Sequence, residues 1–161
     1  MLPQPATNQA LAPLGPAVES FSLTGRIALR QGSRSDHLRF DWEHAPDSDR
    51  LLLTTPLGQG IARVQRDARG ASLDTADGQR RVAASWKLLT HEVFGVVLPL
   101  DDLPEWLRGA RPDHHGEVSG WTVAVTEVSP SRQRRLLPRV IEVRKGDIEL
   151  RMVVDERGDG S

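Results

Sequence analysis

Hydrophobic and polar residues alternate along the first part of the chain after residue 20. A period of two is typical of a strand with one buried face, and it occurs twice here, on either side of a turn-forming segment at 31–34. The pattern therefore predicts two antiparallel strands. Their hydrophobic positions are Phe21, Leu23, Ile27, Leu29, Leu38, Phe40 and Trp42.

The same alternation predicts further strands on both sides of the middle of the chain. Asp77-Gly78 lies between two of these segments and is a favoured short hairpin turn. Residues 145–147 (Lys-Gly-Asp) form the last turn. The candidate strands are 50–55, 61–65, 71–75, 79–83, 121–125, 140–143 and 148–154.

The hydrophobic period lengthens to three or four residues between the two groups of strands. Residues 86–94 predict an amphipathic helix, with Ser85 as its N-cap and Gly95 at its end. Residues 101–107 predict a second short helix. The polar stretch 110–119 that follows is expected to be a loop.

The order of these elements defines the fold class and the domains. Strands, two short helices and further strands predict a mainly β protein, an open antiparallel β-barrel with a short α-helical lid. Residues 1–17, rich in proline and poor in charge, predict an N-terminal flexible linker. Residues 18–157 are expected to form a single β-barrel domain, and residues 158–161 a disordered tail.

Composition limits the classes of function. The 161 residues suffice for one domain with a substantial core, and 21 Lys+Arg against 22 Asp+Glu do not favour binding to nucleic acid. Cysteine is absent, which excludes disulfides and thiolate chemistry. The longest hydrophobic stretch, 93–100, is too short to span a bilayer, and no export signal is recognisable.

No group of residues has a spacing that is typical of catalysis or metal binding. Asp113, His114 and His115 are adjacent in a polar segment, where we expect them to be solvated rather than to converge on one ion. The Gly-Gln-Gly of residues 58–60 lacks the third glycine and the following helix of a dinucleotide-binding loop. We therefore expect no enzymatic activity, no metal and no cofactor.

Arg132, Arg134 and Arg135 form a basic cluster between two prolines. We expect a solvated hairpin loop that contributes little to the docking of a partner. The alternative is a patch for an acidic partner protein or for anionic headgroups.

The tryptophans and one hydrophobic turn are more informative. Core packing accounts for Trp42, Trp106 and Trp121 one by one, but a barrel mouth covered by helices could also hold an apolar ligand. Leu57 lies in a Thr-Pro-Leu-Gly turn and either folds back on the core or projects. A projecting leucine would contribute about 1.5–3 kcal/mol on transfer from water, enough for transient contact with a bilayer.

Seven segments in a fixed order form a pattern that is more specific than any one of them. They are Phe21–Leu29, Phe40–Trp42, Leu51–Gly58, Leu98-Pro99, Leu103–Gly109, Gly120-Trp121 and Leu137-Pro138. The strand-closing Trp42, the T-P-L-G turn and the L-P…W-L-x-G helix are the most specific parts. Over about residues 21–155 the pattern resembles the LolB family of outer-membrane lipoprotein receptors.

The resemblance implies a function and a location. The apolar cavity of the barrel would receive the acyl chains of a lipoprotein from the periplasmic carrier LolA and release them into the inner leaflet of the outer membrane. Leu57 corresponds to the protruding leucine that is implicated in membrane insertion. Together with the hydrophobic pattern, the resemblance suggests these residues for the acyl-chain cavity and the lid: Phe40, Trp42, Leu53, Trp86, Leu89, Phe94, Trp106, Leu107, Trp121 and Val123.

The resemblance also concerns anchoring and assembly. Family members carry a lipidated N-terminal cysteine at the periplasmic face of the outer membrane, and this chain has no cysteine, so a soluble form is expected. A monomer is expected. Two other functions remain open: a soluble β-barrel that binds a small apolar ligand, and an enzyme that uses carboxylates or histidines that no motif identifies.

Overall fold

The computed structural model describes residues 12–111, 113–131 and 135–160, and within these ranges the chain forms ten strands and two helices. The strands are β1 (Ser20–Gln31), β2 (Arg34–Ala45), β3 (Ser48–Thr54), β4 (Gly60–Asp67), β5 (Gly70–Thr75), β6 (Arg80–Ala83), β7 (His115–Val118), β8 (Trp121–Pro130), β9 (Leu136–Lys145) and β10 (Ile148–Gly160). The helices α1 (Trp86–Phe94) and α2 (Leu103–Leu107) lie between β6 and β7.

The strands of the described chain form one antiparallel sheet in the order β6-β5-β4-β3-β2-β1-β10-β9-β8-β7. The first and last strands meet at its centre, where β1 pairs with β10. β6 and β7 form the two edges of the sheet, so the barrel is open. The predicted fold class, an open antiparallel β-barrel with short helices, is confirmed.

Hairpin connections place five turns at the same end of the sheet, which we call the turn rim. Each odd-numbered strand runs towards this end, and the next even-numbered strand leaves it. The first and last hairpins also contact each other there, since the Gly32 N–H donates to the Asp147 carbonyl at 3.2 Å. The turns of the rim are 32–33, 55–59, 76–79, 119–120 and 146–147.

Alternation along the strands places the hydrophobic core on one face of the sheet. In β1, Phe21, Leu23 and Leu29 are buried, whereas Arg26 and Arg30 are exposed. The buried side chains of the strands and of both helices form a continuous hydrophobic cluster. The period of two therefore predicted correctly which face of this strand is buried.

Gly25 allows an unusually close approach of two strands. It lies where the register between β1 and β10 shifts. A Cβ atom at this position would lie 1.9 Å from the Val153 carbonyl oxygen and 2.8 Å from Phe40 Cε1. Because such irregularities bend a strand, Gly25 contributes to the curvature that wraps the sheet around the core.

The bounds of α1 agree with the prediction more closely than those of α2. α1 ends at Gly95, whose left-handed conformation (φ 76°) lets its N–H donate to the His91 carbonyl at 2.9 Å. The Ser85 hydroxyl does not cap the helix and instead donates to the Asp101 carboxylate at 2.9 Å. α2 begins at Leu103, later than predicted, because residues 101–102 form a turn. Within the described chain, neither helix is long and apolar enough to cross a membrane.

The C-terminal boundary of the domain differs from the prediction. Residues 158–160, expected to belong to a disordered tail, continue β10 and pair with Ser20–Ser22. Backbone pairing with a neighbouring strand orders this polar segment although it has no hydrophobic side chains. The predicted loop 110–119 likewise contains β7, a four-residue edge strand without strong hydrophobic alternation.

The predicted N-terminal linker lies partly against the domain. Residues 12–17 form no helix or strand, but the Gly15 N–H donates to the Leu136 carbonyl at 2.9 Å. Residues 1–11 of the predicted linker lie outside the described part of the chain, as do Arg132 and Arg134 of the predicted basic cluster.

Candidate functional site

The predicted cavity and lid residues all lie in one hydrophobic cluster, and none of them is more than 6% exposed. A void large enough for water would expose the side chains around it, so these side chains fill most of the space between sheet and helices. The predicted residues lie on strands β2, β3 and β8 and on both helices, and strands β1, β4, β5, β9 and β10 also contribute to the cluster. Its predicted members are Phe40, Trp42, Leu53, Trp86, Leu89, Phe94, Trp106, Leu107, Trp121 and Val123.

Trp42 is the centre of an aromatic contact between sheet and lid. Its ring meets the ring of Trp86 at the start of α1 edge to face, with 5.4 Å between centroids and an interplanar angle of 74°. The Phe21 ring also meets the Trp42 ring edge to face, with 5.8 Å between centroids. Such contacts are directional, so they orient α1 over the sheet.

Polar contacts that hold α1 are few and lie near its C-terminal end. The Gln31 side-chain amide, at the turn rim, donates to the Phe94 carbonyl at 3.1 Å. The buried Thr90 hydroxyl donates to the Lys87 carbonyl at 2.6 Å and accepts the Leu98 N–H at 2.8 Å. Glu92 on α1 also forms an exposed ion pair with Arg81 on β6, at 4.0 Å. The rest of the contact between α1 and β4, β5 and β6 relies largely on apolar side chains.

α2 is joined to the central strands instead. The Arg157 guanidinium on β10 donates to the Leu107 carbonyl and to the Pro138 carbonyl, both at 2.9 Å. The Val18 N–H donates to the Arg108 carbonyl at 2.9 Å. α2 is therefore connected to the centre of the sheet, whereas α1 covers its β4–β6 edge.

Two of the buried indoles have a donor without an acceptor. Among the described residues, no hydrogen-bond partner reaches Nε1 of Trp86 or of Trp106, although both side chains are at most 1% exposed. Leaving a buried N–H unpaired costs about 1–3 kcal/mol. One of these indoles lies on each of the two helices that cover the sheet.

Trp42, by contrast, donates its indole N–H to the carboxylate of Asp49 at 2.8 Å. The same buried carboxylate lies 2.7 Å from His44 Nδ1 and accepts a hydrogen bond from Arg66 Nε at 2.6 Å. Asp49 was not among the residues predicted from the sequence. The alternation along β3 could have identified it, because Asp49 lies two positions before Leu51 and so on the buried face of the strand.

Leu57 projects from the turn rim with 92% of its surface exposed. The turn that carries it is closed by hydrogen bonds from the Gly58 N–H to the Thr55 carbonyl (2.9 Å) and from the Thr55 N–H to the Gln59 carbonyl (2.8 Å). Gly58 adopts the left-handed region (φ 90°) that a turn of this kind needs. Of the two alternatives for Leu57, folding back on the core is wrong.

Other hydrophobic side chains are also exposed, and they were not predicted from the sequence. Val82 on the edge strand β6 is 74% exposed, and Leu88 on the outer side of α1 is 54% exposed. Each lies apart from the Leu57 turn along the chain. They offer matched comparisons for the role of Leu57.

Residues 113–115 were not expected to converge on one metal ion. The His114 carbonyl accepts the Val125 N–H at 2.6 Å, and His115 begins β7, so these two histidines take part in the sheet, whereas Asp113 lies outside it. Over the described ranges, no three histidine or carboxylate side chains lie close enough together to hold a metal ion.

An antiparallel sheet that curves around an apolar interior and is covered by two short helices defines the fold class of this chain. The crystal structure of a LolA superfamily protein from Nitrosomonas europaea aligns with this chain at a TM-score of 0.50, covering 92% of this chain and 89% of that one. With 10% sequence identity, the similarity concerns the fold alone.

Sequence comparison gives the family. The model described as outer membrane lipoprotein LolB matches residues 19–156. A protein named outer-membrane lipoprotein LolB from Azoarcus sp. (strain BH72) is 32% identical over 167 residues, covering 96% of this chain and 85% of the relative. One of the same name from Chromobacterium violaceum is 32% identical over 161 residues, covering 91% and 88%. The chain belongs to the LolB family.

Proposed function

We propose that this chain is an outer-membrane lipoprotein receptor, which accepts acylated lipoproteins from the carrier LolA and delivers them to the outer membrane at its periplasmic face. The observation that carries the proposal is the exposed Leu57 on an ordered turn beside a helix-covered apolar interior. Family membership and the superfamily fold support it. In this proposal the protein acts as a monomer.

The physical problem for such a receptor is to keep acyl chains away from water. Exposing one chain of about 14 carbons costs on the order of 10 kcal/mol, at about 0.8 kcal/mol per CH₂. An apolar interior avoids that cost only if the acyl chains enter it directly from another apolar site, without passing through water. Transfer then proceeds down a gradient of affinity, from carrier to receptor to bilayer, and needs no nucleotide.

The filled interior requires the lid to move when cargo enters. α1 is the helix that we expect to move, because it covers the β4–β6 edge and has few polar contacts with the sheet. The unpaired indole N–H groups of Trp86 and Trp106 make the closed form less favourable than a fully satisfied core. Movement of α1 would expose the predicted cavity residues, with Trp42 and Trp86 separating first.

Leu57 would act at the delivery step. A single leucine contributes about 1.5–3 kcal/mol when it leaves water, which permits short contact with a bilayer but not stable anchoring. Contact of this strength brings the loaded interior to the membrane surface and lets the receptor leave after release.

The proposal is tested by incubating the chain with LolA that carries a fluorescently labelled lipoprotein. We expect the label to move to this chain, followed by release into vesicles when they are added. A folded chain that accepts no lipoprotein would contradict the proposal and would favour a barrel that binds a small apolar ligand. A change in tryptophan fluorescence on loading would indicate that the interior indoles are involved, because all four are buried before cargo enters.

A further inference from the structure

A groove on the outer side of the sheet lies directly beside the Leu57 turn. Its volume is about 340 Å³, and one wall is Pro56, the residue that precedes Leu57. Strands β1, β2 and β10 form its floor. We call it the arginine groove, after its ionisable lining residues Arg26, Arg39, Arg151 and His37.

Strand register brings positive charges together in this groove. Arg26 on β1 lies directly opposite Arg39 on β2. Arg39 in turn pairs with Thr54, the last residue of β3 before the Leu57 turn. Like charges that face each other across a strand pair destabilise a sheet unless an anion compensates them. The sheet therefore concentrates positive charge at the base of this turn.

Nearby carboxylates compensate only part of this charge. Asp155 accepts two hydrogen bonds from Arg26, at 2.9 and 3.0 Å. Glu142 lies opposite Arg151 in the register, but its ion pair is with Arg144, at 3.7 Å. In the part of the chain that the structure describes, Arg39 and Arg151 have no ion-pair partner. Two exposed guanidinium groups thus remain available to an anion.

We propose that the arginine groove binds the phosphate of an anionic phospholipid headgroup in the leaflet that Leu57 enters. This inference rests on the proposed function, because it needs Leu57 to reach a bilayer. The polar headgroup layer is about 5–7 Å thick on each side of the hydrocarbon core. Since Pro56 is a wall of the groove, an inserted Leu57 places the groove in that layer. Guanidinium groups suit this ligand, because their parallel N–H donors match phosphate oxygens.

The groove and Leu57 would then supply two complementary contributions to membrane contact. One hydrophobic contribution alone gives weak, reversible binding to a bilayer, and an electrostatic contribution strengthens it. Leu57 contributes the hydrophobic one, and it does not depend on lipid charge. Arg39 and Arg151 contribute attraction that rises with the anionic lipid content and falls with salt.

The test measures binding of the chain to vesicles of phosphatidylethanolamine with phosphatidylglycerol, and to vesicles of phosphatidylcholine alone, by flotation. The test variant is Arg39→Gln with Arg151→Gln. The control, Arg50→Gln with Arg69→Gln, removes the same charge at the opposite end of the sheet, where Arg50 pairs with Glu43 and Arg69 lies in the β4–β5 turn.

We expect the test variant to bind the anionic vesicles about tenfold or more weakly, in line with the usual contribution of two basic residues at a membrane surface. Its binding to phosphatidylcholine vesicles should stay the same, and the control should behave like the unmodified chain. Equal losses in both variants would mean that only net charge matters and would overturn the proposal. Undiminished binding of the test variant would overturn it as well.

Folding and the proposed function are checked separately. Both arginines are exposed, and Arg39→Gln relieves repulsion with Arg26, so melting temperatures should not fall. The single variants Arg39→Gln and Arg151→Gln replace the double variant if it does not fold. Uptake of labelled lipoprotein from LolA should be normal in the test variant. If the test variant shows normal uptake and undiminished vesicle binding, only the proposal for the arginine groove is contradicted. If the unmodified chain accepts no lipoprotein, the proposed function is contradicted.

Discussion

Two leucines near the turn rim have opposite environments. Leu53, near the end of β3, is completely buried, and its register neighbours are Phe40 on one side and Ala62 on the other. Leu57, in the turn that follows, is 92% exposed. The interior thus holds the residues that stabilise the fold, while the turn holds a hydrophobic side chain that contributes almost nothing to packing. Stability and membrane contact can therefore be changed independently.

The largest loss of stability is expected in the interior, at Asp49. Asp49→Ala removes the shared partner of Trp42, His44 and Arg66 and leaves their polar groups without a carboxylate. Removing one partner from a buried ionic network costs about 3–5 kcal/mol. Chemical denaturation measures the loss, and Asp41→Ala, at an exposed position of β2, should change the free energy of unfolding by about 0.5 kcal/mol or less.

Leu53→Ala tests how much the buried leucine of this comparison contributes to stability. The substitution deletes buried methyl groups in the core, so the free energy of unfolding should fall by about 3 kcal/mol. Leu57→Ala is its matched control and should change that free energy by less than about 0.5 kcal/mol. Similar losses in the two variants would contradict the separation of the interior from the turn.

Gly25→Ala should reduce stability by about 2–3 kcal/mol, since the added Cβ would press against the Val153 carbonyl and the Phe40 ring. Backbone atoms of β10 cannot move away without disturbing the central strand pair. Gly60→Ala provides the comparison at the base of the Leu57 turn, because a Cβ there meets nothing within 4 Å. Equal thermal stability of the two variants would mean that the sheet tolerates a wider separation of β1 and β10.

The sequence predicted features that depend on neighbours in the chain. Alternation around Phe21 and Phe40 located the first two strands and their buried faces, and the helical period with Gly95 located α1. The T-P-L-G turn marked Leu57 as a position of interest. These features follow from local periodicity and turn chemistry, so one sequence is enough to recognise them.

Features that depend on strand register were not predictable. Asp49 meets Arg66 only because β3 pairs with β4, and Arg26 faces Arg39 only because β1 pairs with β2 in one particular register. Residues 158–160 are ordered by the backbone of β1, which their own composition does not indicate. The sequence also did not decide whether the interior is filled or holds a cavity, because the hydrophobic pattern alone does not determine how closely facing side chains approach.

Leu57→Glu should have the smallest effect on stability and a large effect on delivery. We expect a change of less than about 0.5 kcal/mol in the free energy of unfolding, because the side chain is exposed. Uptake of lipoprotein from LolA should be nearly normal, while release into vesicles should be blocked, since a carboxylate at this position opposes entry into the bilayer.

Val82→Glu is the matched control for that delivery defect. It introduces the same charge at another exposed hydrophobic side chain, on edge strand β6. Release should be normal in this variant if the position of Leu57 matters rather than surface hydrophobicity in general. A loss of more than about 2 kcal/mol in Leu57→Glu would show that Leu57 packs on the core in solution. Unchanged release would instead mean that Leu57 is not needed for membrane contact.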